Sequence, residues 1–153
     1  MIFFIPYICL LGLTANQYEP SGHPCDAPQV FLLSQSESII DCLQMEFPSS
    51  LLNVCDNNSE KAFAFWKPFI KQIEVMAQKE GVYTPGTKLW IKAFWDQQGH
   101  LIYIGYASKN EAPLTNHSRW ERVFKACIKD SRMDGPWRSG FYHLGSICWR
   151  SNS

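Results

Sequence analysis

The stretch that most limits the folds open to this chain is a pair of β-forming runs joined by a four-residue turn. Leu89–Trp95 (Leu-Trp-Ile-Lys-Ala-Phe-Trp) and Leu101–Ala107 (Leu-Ile-Tyr-Ile-Gly-Tyr-Ala) are rich in aromatic and β-branched residues, and Asp96-Gln97-Gln98-Gly99 separates them. That arrangement reads as an antiparallel hairpin. Amphipathic helical patterns flank it on both sides. Upstream, Phe69, Ile70, Ile73, Met76 and Ala77 recur at helical spacing among polar residues. Pro68 suits the first turn of that helix, where its missing N–H has no partner to lose. Gly81 stands just past its end, where a left-handed residue is expected. Downstream, Trp120, Val123, Phe124, Cys127 and Ile128 form one helical stripe, with Ser118 as the expected cap. Asp134-Gly135-Pro136 stops this second helix, and Phe141–Trp149 reads as a last strand.

The order helix, strand, strand, helix, strand predicts an α+β fold. Two helices pack on one face of a small antiparallel sheet, because that buries both apolar stripes. Residues 61–150 are assigned to this domain and residues 16–60 to an N-terminal extension. In the extension, Val30–Leu33 predicts a short strand and Ile39–Leu43 part of a short helix; Asn58 or Ser59 offers a helix cap. On the first hairpin strand, Trp90 and Phe94 share one face, while Leu89, Ile91, Ala93 and Trp95 share the other. Both faces are therefore partly apolar. One meets the helices. The second is expected to lie under residues 28–55; if open, it is an apolar patch of the kind that binds a partner.

Residues 1–15 carry no charged side chain and are mostly apolar. The run is shorter than the roughly 20 residues that cross a bilayer, and it matches the apolar core of a secretory signal with Leu13-Thr14-Ala15 as the cleavage site. Export to a periplasmic or extracellular compartment follows as an expectation, with no membrane anchor after cleavage. The six cysteines are Cys9, Cys25, Cys42, Cys55, Cys127 and Cys148. Cleavage removes Cys9, and the remaining odd number predicts two disulfides and one free thiol. Cys127 with Cys148 is the first expected pair. It requires the Cys148 face of the last strand, shared with Leu144 and Ser146, to meet the second helix. Cys25 with Cys42 or with Cys55 is the second, and spacing leaves that choice open.

Equal numbers of basic and acidic side chains, 14 each, give no long-range pull towards nucleic acid. No Cys-x-x-Cys pair, His-Glu-x-x-His or Gly-x-Ser-x-Gly motif is present, so no metal or cofactor is expected. His23, His100, His117 and His143 fall on separate elements and offer no ready acid–base pair.

From about Phe65 to Trp149, the helix, the Lys88–Tyr103 hairpin segment, the helix beginning Trp120-Glu121-Arg122-Val123-Phe124-Lys125-Ala126-Cys127 and the final strand resemble the C-terminal domains of the TolA and TonB energy-transduction proteins. The resemblance is one of pattern. It implies a free-standing domain, without the anchor and linker of that family, that binds another protein of the cell envelope through its final strand. Trp90, Phe94, Tyr103, Tyr142, His143 and Trp149 are the candidate binding residues. Two other functions remain open: a periplasmic inhibitor or immunity-type protein presenting the 108–117 loop, and a small secreted hydrolase such as a ribonuclease.

Overall fold

A computed structural model describes residues 25–110 and 114–149. The expected signal segment, His23 and the cleavage site lie outside them. The architecture is α+β, as the sequence predicts, and it is larger than the three-stranded core expected. A five-stranded sheet is built in the order β1-β4-β3-β5-β2, from β1 (Val30–Leu32), β2 (Ser49–Ser50), β3 (Lys88–Trp95), β4 (Leu101–Ser108) and β5 (Phe141–Cys148). The central strand β3 runs antiparallel to both β4 and β5, whereas β1 runs parallel to β4 and β2 parallel to β5. The N-terminal extension thus supplies both outer strands rather than an appendage.

Among the described residues four α-helices complete the fold: α1 (Glu37–Glu46), α2 (Leu51–Val54), α3 (Ser59–Lys79) and α4 (His117–Asp130). Helices α3 and α4 cover one sheet face. Ala62, Trp66, Phe69, Ile73 and Ala77 of α3 are buried there, with Trp120, Val123, Phe124 and Cys127 of α4. They pack on Leu89, Ile91, Ala93 and Trp95. Helix α3 begins at Ser59 rather than near Pro68, capped by the Asn58 side chain, which accepts from the Lys61 N–H at 2.9 Å. Its buried stripe runs back through Trp66 to Ala62, which outweighs the proline. Pro68 sits exposed inside the helix, and Ala64, whose carbonyl loses its donor, is an exposed residue as well. At α4 the cap position is Asn116, in the left-handed region (φ 61°), and Ser118 lies inside the first turn.

A one-residue bulge distributes the hairpin between two cores. Trp95 faces Leu101 and Phe94 faces Tyr103, so Ile102 is the extra residue. Without it Leu101 and Tyr103 would share a face. With it Leu101 joins the α3/α4 core, and Tyr103 joins Phe94, Phe31, Leu43 and Phe47 in a second core beneath α1. In the turn, Asp96 accepts from the N–H groups of Gln98 and His100 at 2.9 and 2.8 Å. Gly99 has φ 80°, and a Cβ there would meet the Met133 carbonyl oxygen, so glycine is required.

One disulfide is present among the described residues, Cys25–Cys42, with Cα atoms 6.0 Å apart. It ties the approach to β1 onto α1. The expected Cys127–Cys148 bridge does not form. Phe141, Gly145, Ile147 and Trp149 are the β5-side residues that meet the helices, so Cys148, in the other phase, points away and is exposed while Cys127 is buried. Cys55 is also free and buried. One bridge and three free thiols replace the expected two and one.

Candidate functional site

The six candidate binding residues divide by burial. Phe94, Tyr103 and Trp149 are buried in the two cores. Phe94 and Tyr103 pack on Phe47, with ring centroids 5.5 and 6.3 Å away. Trp149 stacks on Trp120 at 5.6 Å. Tyr142 and His143 are half-buried. His143 lies edge-on to Trp66 at 4.5 Å, and burial holds its pKa below the ordinary value. Trp90 alone of the six is exposed, at 38%.

Trp90 marks the open half of the face opposite α3 and α4. Following the cross-strand register, Trp90 stands between Ala107 and Ser146; Lys92 stands between Gly105 and Leu144; Lys88 stands opposite Cys148. Helix α1 closes over the Phe94–Tyr103 end of this face and stops short of Trp90. The expectation of a covered face therefore holds for one half only. Leu144 is 51% exposed, and Ser146 and Cys148 are exposed. Lys109 places its Nζ over the Trp90 ring, 4.2 Å from the centroid. Lys92 is 8% exposed and leans towards β5, its Nζ 5.1 Å from the Tyr142 ring centre. Burial lowers its pKa, and Asp41 on α1 opposes that shift.

The edge beside this half is also open. The Trp149 N–H donates to the Thr87 carbonyl at 3.1 Å, and Thr87 and Trp149 are the next pair in the β3–β5 register. Bonded and non-bonded pairs alternate in an antiparallel ladder, so the odd-numbered residues of β5 turn their backbone groups to β3. Lys109 donating to the Lys88 carbonyl at 2.9 Å fixes the complementary phase on β4. The N–H and C=O groups of Leu144, Ser146 and Cys148 then face outward. Strand β2 neighbours only Phe141 and Tyr142, and no described strand pairs with β5 beyond them. A groove runs alongside, formed by Ile70 and Glu74 of α3, Tyr83, and the Ser146–Trp149 end of the sheet. Gly145 makes the close approach of α3 possible, since a Cβ there would strike the Trp66 ring.

The histidines are dispersed. His100 contacts Asp96 at 3.2 Å and His117 lies 3.4 Å from the Tyr106 hydroxyl, while His143 is under Trp66. Among the described residues these three share no hydrogen bond or ring contact, and no group of three His, Cys, Asp or Glu side chains converges on a metal-sized space. A second depression between α3 and residues 131–134 holds Arg132 and Asp134, which pair with each other at 3.0 Å. Of the 108–117 loop, residues 111–113 lie outside the described residues.

Of the residues expected from the sequence, Trp90 is exposed and Phe141–Cys148 is a strand. The sequence alone does not single out Leu144, Lys88, Lys92 or the α3 wall of the groove. The alternation of Tyr142, Leu144, Ser146 and Cys148 was the available signal; it required knowing which phase faces the helices. Compared with known proteins, the chain matches no family model, no curated protein and no solved structure.

Proposed function

We propose that this chain is an exported, non-enzymatic binding or adaptor protein that accepts an extended segment of another protein along the outer edge of β5. The observation that supports this reading is the bare run from Leu144 to Cys148. An unpaired strand edge is a template for any passing strand, and proteins usually blunt such edges with charge, proline or a bulge. Leu144-Gly145-Ser146-Ile147-Cys148 carries none of these charges or prolines. Strand addition supplies backbone hydrogen bonds for affinity and leaves alternate side chains to set specificity.

The apolar segment 1–15 and the Cys25–Cys42 disulfide support an oxidising compartment as the place of action. Among the described residues no helix is long and apolar enough to cross a membrane. The order α3-β3-β4-α4-β5 is the one that underlies the resemblance to the TolA and TonB C-terminal domains, and the proposed partner is accordingly a protein of the cell envelope. A photo-crosslinking residue placed at Ser146, and separately at Gln98 in the hairpin turn, tests the reading in cells. A defined adduct from position 146 and none from position 98 is the expected result. Adducts from neither position, or equally from both, would contradict it.

A further inference from the structure

The chemistry of the segment that fills this edge can be read from what surrounds it, and the argument rests on the strand-addition reading above. A strand laid along Leu144–Cys148 turns its side chains alternately to the two faces of the sheet. On the helix side they enter the groove between β5 and α3. Its wall is apolar at Ile70, Tyr83 and Trp149, and its one acid, Glu74, is already held by Lys71 at 2.9 Å. That side takes large apolar side chains and contributes no unbalanced charge.

The other side is different. Lys88 and Lys109 stand on the open half of the opposite face and Lys92 at its boundary with the covered half; cross-strand neighbours there are Ala107, Gly105, Leu144, Ser146 and Cys148. No acidic residue occupies that strand grid, and Asp41 of α1 acts on Lys92 at the covered end. The chain as a whole is neutral, so this is a local concentration of positive charge rather than a general one. Lys92 lies at the covered end of this face. It is more than nine-tenths buried, with its Nζ 5.1 and 5.8 Å from the Tyr142 and Phe94 ring centres and Asp41 of α1 as an opposing charge. Lys88 is exposed and makes no ion pair among the described residues, so it is the cation open to an acid on the partner. Ser146 and Cys148 are small enough for an acidic side chain on the added strand to reach across β5 towards Lys88.

We infer that the partner segment is an extended peptide whose side chains alternate between large apolar and acidic residues, with the apolar set in the α3 groove and the acidic set over the lysine face. A second copy of this chain fits less well. Its own open half carries the same lysines, and its β5 offers Leu144, Ser146 and Cys148 where acids are wanted.

Fluorescence anisotropy with labelled nine-residue peptides tests this on the intact protein. The probes are a peptide alternating Val or Phe with Glu, the same peptide with Lys for Glu, and the Glu peptide with alternate amides N-methylated. The expected result is saturable binding of the Glu peptide, at least about tenfold weaker binding of the Lys peptide, and loss of that preference in K88E. The N-methylated peptide, which cannot pair with the edge, and the variant S146P, which removes an outward N–H, should both abolish binding. Equal affinity for Glu and Lys peptides, abolished by N-methylation, would overturn the acidic inference and leave strand addition standing. Binding that survives N-methylation would overturn strand addition itself. Self-association in sedimentation that displaces the Glu peptide would overturn the inference in favour of a second copy.

Discussion

The two faces of the sheet are made from alternate residues of the same strands, yet one is sealed and the other is half open. On the α3/α4 side, Leu89, Ile91, Ala93 and Trp95 are at most 1% exposed, and two long helices run across them. On the opposite side, one helix of ten residues covers Phe94 and Tyr103, and Trp90, four residues before Phe94 on the same strand, meets solvent. Covering material, rather than the strand sequence, makes the difference. Trp90 and Phe94 are equally suited to burial; α1 is tethered by Cys25–Cys42 over one of them and does not reach the other.

Mutations along β3 sharpen that contrast. Phe94→Ala should cost about 3–5 kcal/mol, the usual range for emptying a fully buried aromatic site. Trp90→Ser should cost about 1 kcal/mol or less, chiefly the loss of its contact with Lys109. Urea unfolding of both variants checks the pair. Similar losses would mean that the open half is covered after all.

Reducing Cys25–Cys42 comes next in size. The bridge spans 17 residues in sequence, and a loop of that length stabilises by about 3 kcal/mol in the chain-entropy account. The loss should fall on α1 and β1 first and expose Phe94 and Tyr103 before Trp95. Amide exchange on the reduced protein would show this as selective deprotection of α1.

A smaller effect is expected from pH. Burial under Trp66 lowers the His143 pKa, so the folded state binds fewer protons than the unfolded chain below the ordinary value of about 6.5. Stability should be full above that pH and decline as pH falls from it through the folded pKa. His143→Gln should flatten the decline between pH 7 and 5. An unchanged slope would place its cause elsewhere. Thiol chemistry gives the least perturbing comparison. Cys127 is buried, with its pKa pushed up to about 12, and burial also raises that of Cys55. Cys148 is exposed. Peptide mapping after brief maleimide treatment of the native protein should find Cys148 labelled and the other two protected until unfolding.

Much of this fold was legible in the sequence because it is written in local periodicity. The hairpin, both amphipathic stripes, Gly81, the Asn58 cap and the last strand all follow from side-chain spacing within one element. What was not legible depends on pairing between distant elements. The Cys127–Cys148 expectation failed on a single question of phase, which residues of β5 face the helices. Tertiary packing of Phe141, Gly145 and Ile147 answers it, and the local alternation of the strand is compatible with either answer. Strand β2 has only two residues and no periodicity to detect. Its shortness, which leaves β5 bare beyond Tyr142, is a consequence of where α2 begins. The candidate site was legible only in part for the same reason: Trp90 stands out by residue type, whereas Leu144, Lys92 and the groove wall are brought together by the sheet.

Residue-resolved amide hydrogen exchange along β5 tests the central claim most directly, because the alternation of its backbone groups assigns each amide a fate. Gly145 and Ile147, which face β3, should be protected, while Leu144, Ser146 and Cys148 should exchange far faster in the free protein. Equal protection at all five positions would mean that the outer edge already has a partner, and the binding site proposed here would not exist.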